Sequence, residues 1–190
     1  MHRHAADSRY ATMRLLVALA LMTVGNGAMY IVTVVLPTVQ RDFSVSRADA
    51  SLPYTLLMIG FGLGGLLMGR LADRFGVMVP VLIGAASVGL GFTLASAADS
   101  IWTFALAHGV LLGLLGSSST FAPLIADTSL WFLRRRGIAV AVCASGNYVA
   151  GAIWPPIVQH FVQVSGWRAT YFGVGVFCAA TMALLALTMR

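Results

Sequence analysis

The stretch Gly69-Arg70-Leu71-Ala72-Asp73-Arg74-Phe75-Gly76 decides how this sequence is read. It packs a carboxylate, two guanidiniums and two glycines between apolar runs at 58–68 and 77–98 that hold no charge. Such polarity in so short a connection marks a tight loop between two buried helices. Glycine turns the chain through φ > 0. Asp73 has Arg70 and Arg74 at hand as partners, or the positive N-terminal end of a nearby helix.

Outward from that loop the same alternation holds. Of 190 residues, 59% are hydrophobic and 9% charged, and the mean hydropathy is +0.88. A soluble domain carries about a quarter charged residues, so an ordinary soluble globule is excluded and the lipid bilayer is the first expected partner. The net charge of +6 comes from arginines clustered at the ends of apolar runs, not from a basic face interleaved with aromatics; nucleic acid is not an expected partner. Lysine and glutamate are absent altogether. Cys143 and Cys178 each fall inside an apolar run and read as small buried hydrophobes, not as a metal pair or a disulfide. Nothing in the sequence asks for a metal or a cofactor.

Six apolar segments near the roughly 20 residues needed to cross a bilayer lie at about 15–36, 48–68, 77–98, 101–125, 138–162 and 167–189. The second reaches that length if it starts at a Ser46-x-x-Asp49 capping box, which puts Pro53 inside a helix. No run of soluble-domain length separates any two, so residues 1–190 are expected to form a single six-helix transmembrane domain. With the N-terminus inside, Arg3, Arg9, Arg14, Arg70, Arg74, Arg134, Arg135, Arg136 and Arg190 fall on the cytoplasmic side, and Arg41, Arg47 and Arg168 outside. That bias predicts both termini in the cytoplasm. The first fourteen residues, with His2, Arg3, His4 and Arg9, resemble a signal-peptide n-region, but the apolar run behind them is too long and lacks a cleavage site; it is read as a retained first helix. The expected location is a plasma membrane, the bacterial inner membrane in particular. Asp127, at the inner end of the fourth segment, is expected to pair with Arg70 or Arg74. Small residues spaced by four at Gly60 and Gly64, Gly65 and Gly69, Gly109 and Gly113, Gly146 and Ala150, and Asn147 and Gly151 mark where helices pack closely.

The opening stretch resembles the loop signature of the major facilitator superfamily, Gly-x-Leu-Ala-Asp-Arg-x-Gly followed by two basic residues. Gly69, Leu71, Ala72, Asp73, Arg74 and Gly76 match, while Val77 and Met78 stand where the basic pair would be. A second run, Trp131-Phe132-Leu133-Arg134-Arg135-Arg136-Gly137-Ile138-Ala139, leads into Ser145-Gly146, Gly151 and Pro155-Pro156. It is similar to the monocarboxylate and oxalate/formate porter-like branch. Leu36-Pro37 with Asp42-Phe43 looks like the outer end of that family's first helix. The acidic-glycine-aromatic motif of the animal monocarboxylate carriers is absent; Gly25-Asn26-Gly27-Ala28 stands there.

The resemblance implies an all-α membrane protein: six transmembrane helices forming the N-terminal half of a major facilitator bundle, built from two three-helix inverted repeats, with the C-terminal six-helix half absent. It implies secondary active transport of a small solute, such as a monocarboxylate or other organic anion, by alternating access, and no enzymatic activity. A truncated or half-size member would work with a second six-helix half or as a homodimer. It further implies a cavity lined by the first, second, fourth and fifth helices, with the third and sixth facing lipid. The motif of Gly69, Arg70, Asp73, Arg74 and Gly76 would steady one conformational state against the other half.

Polar residues deep in a span are costly and so mark a pathway. Asn26 lies at the middle of the first span with Tyr30 one turn on. Asn147 lies near the middle of the fifth, with Tyr148 beside it and Trp154 two turns on. His108 sits in the outer half of the fourth. These six are the substrate-cavity candidates, and each fits equally a structural role, bonded to a neighbouring helix. Apart from the capping Asp49 no acid lies within any span, so proton coupling through this half falls to His108. Ser117, Ser118, Ser119 and Thr120 read mainly as packing residues. Arg134, Arg135 and Arg136 anchor the cytoplasmic end, with attraction of an anionic substrate or lipid as a second role. Two other classes stay open. One is a six-helix intramembrane serine hydrolase, with Ser145 of Cys143-Ala144-Ser145-Gly146 as nucleophile and His108 or His160 as base. The other is a non-transporting membrane scaffold.

Overall fold

The computed structural model describes residues 7–189; His2, Arg3, His4 and Arg190 lie outside the described residues. Six helices long and apolar enough to cross a membrane follow one another: Arg9–Asp42, Arg47–Phe75, Met78–Ser96, Ile101–Trp131, Arg136–Ser165 and Trp167–Leu187. They are called the first to sixth spans below. The second and fifth, of 29 and 30 residues, are about 44 Å long at 1.5 Å per residue, against a hydrocarbon core of about 30 Å. Their ends therefore reach the headgroup layer.

Local chemistry sets the starts of three of the six spans. Ser8 Oγ accepts from the Ala11 N–H at 3.2 Å and Ser100 Oγ from the Thr103 N–H at 3.2 Å. Ser46 forms the expected box, accepting from the Asp49 N–H at 3.1 Å and donating to its carboxylate at 2.7 Å. The opening stretch departs from expectation: residues 69–75 are not a loop but the last turns of the second span. The turn itself is confined to Gly76, at φ +82, and Val77. Nothing between Gly69 and Gly76 breaks a helix, Arg74 sits favourably at the negative C-terminal end, and glycine alone takes the positive φ without strain.

The third span packs along the sixth, the second along the fourth, and the first along the fifth. Exchanging first for fourth, second for fifth and third for sixth maps these three pairings onto themselves, as two three-helix repeats would; the close third–fourth packing has only a slight counterpart between the first and sixth. The second and fourth spans meet through glycine. A Cβ on Gly60 or Gly64 would collide with the Gly109 or Leu114 carbonyl, and one on Gly113 with that of Leu57. Gly146 likewise faces the Leu19 carbonyl. Gly65 and Gly69 point to open space, so that pair marks no contact. At the glycine crossing the fourth span widens into a π-helical stretch, Ala107–Ser117, with i→i+5 bonding of the kind often found at functional sites.

Two buried clusters fasten the ends. At the end of the bundle that holds Asp7 and Met189, Asp127 pairs with Arg14, not with Arg70 or Arg74: Arg14 Nη2 lies 3.1 and 2.9 Å from the two carboxylate oxygens. Arg14 Nη1 donates to the Met189 carbonyl at 2.8 Å, and the guanidinium stacks 4.7 Å from the Trp131 ring. The first, fourth and sixth spans are thereby joined. At the opposite end Trp167 Nε1 donates to the Asp42 carboxylate, inside an aromatic cluster that includes Phe43, Phe92, Phe104 and Tyr171.

Candidate functional site

Mid-membrane, the first span is interrupted at Asn26, whose φ of −88 and ψ of 2 separate helical pieces Arg9–Gly25 and Gly27–Asp42. In hydrocarbon, carbonyls freed at such a break must find partners on other helices. Trp154 Nε1 of the fifth span donates to Thr23 O at 2.9 Å. Ser117 Oγ of the fourth donates to Gly25 O at 3.0 Å. The Cys178 thiol of the sixth faces Val24 O at 4.0 Å. The flanking glycines make room for this: a Cβ on Gly27 would run into the Trp154 indole, and one on Gly25 into the Thr120 side chain. Trp154 and Ser117 thus act as caps for a broken helix.

Asn26 itself is fully buried, its Oδ1 3.5 Å from Thr120 Oγ1. Among the described residues, its Nδ2 and the Oδ1 of Asn147 are buried side-chain atoms with no hydrogen-bond partner. Tyr30 lies over Gly151. Its hydroxyl neighbours the Asn147 amide and the tyrosines at 54 and 148. Tyr54 and Tyr148 are exposed, at 39% and 75%. The first and fifth spans bring Tyr30 and Asn147 together, with Tyr54 and Tyr148 within electrostatic range of the Tyr30 hydroxyl. Sequence reasoning missed Tyr54, although it and Thr55 are the last polar residues before the uniformly apolar run at 56–69.

His108 departs from the expectation of a cavity-facing residue. It is completely buried, with Nδ1 2.8 Å from the Phe104 carbonyl and Nε2 3.2 Å from the Tyr171 hydroxyl. A carbonyl only accepts, so Nδ1 carries the proton and the Tyr171 O–H donates to Nε2. Both ring nitrogens are thus engaged within the outer aromatic cluster. The Ser145 hydroxyl donates to its own helix at Val142 O, 2.7 Å away, and the His160 ring packs on Phe161, so no nucleophile–base pair is assembled.

At the end of the second span, Asp73 and Arg74 are exposed. The Arg74 guanidinium lies 5.1 Å from the Phe75 ring. Among the described residues the ion pair is that of Arg14 with Asp127, so Asp73 is not clamped by Arg70 or Arg74. Arg134, Arg135 and Arg136 are exposed. The Arg134 N–H donates to the Asp7 carboxylate at 3.2 Å, and Arg136 Nη2 to Ser129 Oγ at 3.0 Å.

Six packed apolar spans, with Tyr30 and Asn147 meeting between the first and the fifth, define a six-helix membrane unit. Residues 16–190 match the Major Facilitator Superfamily, and the chain belongs to that family. It is 29% identical to monocarboxylate transporter 6 of Mus musculus over 183 residues, 95% of this chain and 39% of the relative. Over 127 residues, 67% of this chain and 27% of the relative, it is 32% identical to the fujikurins efflux protein of Gibberella fujikuroi. It is also 29% identical to monocarboxylate transporter 12 of Mus musculus over 137 residues, 72% of this chain and 27% of the relative. The chain spans well under half the length of these relatives, which are transporters and not enzymes.

Proposed function

We propose that these residues form one six-helix half of a secondary transporter that moves a small organic solute, a monocarboxylate being the leading candidate, by alternating access. The match to the superfamily over residues 16–190 carries this reading, and the names of the mouse relatives support the solute class. Tyr30, Tyr54, Asn147 and Tyr148 face the solute, with the tyrosine hydroxyls as donors to its carboxylate. Asn26 and Trp154 shape the first span behind that contact, and His108 holds the outer cluster together. Gly69, Arg70, Asp73, Arg74 and Gly76 meet a second half across the inner surface, where the exposed Asp73 is available to a helix end on the partner. A second six-helix half, or less readily a second copy of this chain, completes the cavity. Both termini lie in the cytoplasm of a plasma membrane, the bacterial inner membrane being one setting, as the arginine distribution favours.

The test is flux of labelled monocarboxylate into proteoliposomes. The chain alone is expected to give no saturable uptake, and co-expression with a second half to give uptake that falls with Asp73→Asn. Robust saturable uptake by the chain alone would sink the requirement for a partner half. Reporter fusions at both ends and after Asp99 check the orientation; a reporter read outside at either end would reverse it.

A further inference from the structure

Between the inner ends of the fourth and fifth spans lies a groove of about 680 Å³, lined by Phe121, Ala122, Ile125, Ser129, Arg136 and Val140 among others. Its wall is nearly all hydrocarbon, and Phe121 at one side is braced edge-on by Phe61 of the second span at 5.6 Å. The polar groups of the lining sit together: Arg136 and the Ser129 hydroxyl that orients its guanidinium at 3.0 Å.

Among the described residues no carboxylate forms an ion pair with Arg136. Asp127, two residues from Ser129, is engaged by Arg14, and Asp7 accepts from the Arg134 backbone. Asp73 stands beside Arg70 and Arg74 at the end of the second span. Arg134 and Arg135 add positive charge at the same edge. The fifth span begins at Arg136 with no side-chain cap, so its first N–H groups are open toward an anion.

A volume within the range of small-ligand sites, an apolar wall and one oriented guanidinium make a complementary surface for an amphipathic monoanion. We infer that this groove is a docking site for a free organic monoanion with an apolar body of about six to ten carbons, its carboxylate on the Arg136 guanidinium that Ser129 orients and its body against Phe121, Ile125 and Val140. The inference rests on the transport reading and deepens it: it places a solute-loading position at the inner surface, separate from the mid-membrane tyrosines.

The experiment is equilibrium binding of radiolabelled octanoate to the purified 190-residue chain in phosphatidylcholine nanodiscs, with empty discs subtracted. Saturable binding is expected, displaced by octanesulfonate but not by octanol, and far weaker for acetate. Arg136→Gln should weaken it about tenfold, the worth of one charge-assisted hydrogen bond. Arg136→Lys should keep part of it, and Ala122→Leu, which fills the groove, should weaken it similarly. Arg9→Gln, removing one charge from the same end but outside the groove, should leave it unchanged. Thiol labelling of Cys143 and Cys178 on heating verifies that each variant is folded. Equal binding by Arg136→Gln, or displacement by octanol as effective as by octanoate, overturns the proposal. So does loss of octanoate binding when phosphatidylglycerol is included in the discs, which would assign the groove to a lipid headgroup. Binding is read without flux, so a failure of transport with octanoate binding intact would remove the transport reading alone.

Discussion

Arg14 Nη2 sits between the two oxygens of Asp127, at 3.1 and 2.9 Å, across 113 positions of sequence and with little solvent on either side chain. Breaking such a buried pair by removing one partner costs about 3 kcal/mol or more, because the other charge is left uncompensated. Asp127→Asn and Arg14→Gln should each lower the unfolding temperature by roughly 6–12 °C in a chain of this size. The readout is fluorescent thiol labelling of Cys143 and Cys178, both buried in the native state. An unchanged temperature for Asp127→Asn would deny the pair its structural role.

Glycine positions separate cleanly into crowded and open. Gly64→Leu must drive a side chain into the Leu114 carbonyl, whereas Gly65→Leu enters space with nothing within 4 Å. Gly64→Leu should abolish a monodisperse peak in size-exclusion chromatography in mild detergent, and Gly65→Leu should preserve it. Equal behaviour would contradict the second–fourth span interface.

Accessibility divides the mid-membrane candidates. In a background lacking Cys143 and Cys178, Tyr148→Cys should react rapidly with a small water-soluble thiol reagent. His108→Cys should resist it, because the side chain it replaces is completely enclosed. Rapid labelling at position 108 would return His108 to the solute path.

The break at Asn26 makes a size-compensation test. Gly27→Ala places a methyl against the Trp154 indole, and should destabilise by about 1–3 kcal/mol, the usual range for overpacking. In a Trp154→Leu background the same change should cost much less. Trp154→Phe alone keeps the ring but leaves Thr23 O unpaired, at about 1–3 kcal/mol. Thermal unfolding of the four proteins decides it; additive effects for Gly27→Ala and Trp154→Leu would show that the two sites do not touch.

The six helices were legible because their signal is local: charge is confined to their ends, and each apolar run is long enough for the bilayer. The Ser46 box was legible for the same reason, since its partner is three residues away. What escaped depended on partners distant in sequence. Arg14 looked like one more inner-surface arginine, and nothing near it announced Asp127 or the Met189 carbonyl. His108 looked like a pathway residue because its partner, Tyr171, lies 63 positions on. The stretch at 69–76 was misjudged as a loop because its polarity was read as a turn, when polar residues serve as well on a helix that emerges into the headgroup layer.

A helix interrupted at its midpoint ordinarily behaves as a hinge; this one is splinted. The indole of Trp154 and the hydroxyl of Ser117 grip carbonyls on the inner side of the interruption, while Gly27, on its outer side, is pressed against that same indole. Flexing the first span at Asn26 would strip those carbonyls of their donors in a medium without water, at about 1–3 kcal/mol each. The two pieces of the first span are therefore held to the fourth and fifth spans, and bending at Asn26 is opposed.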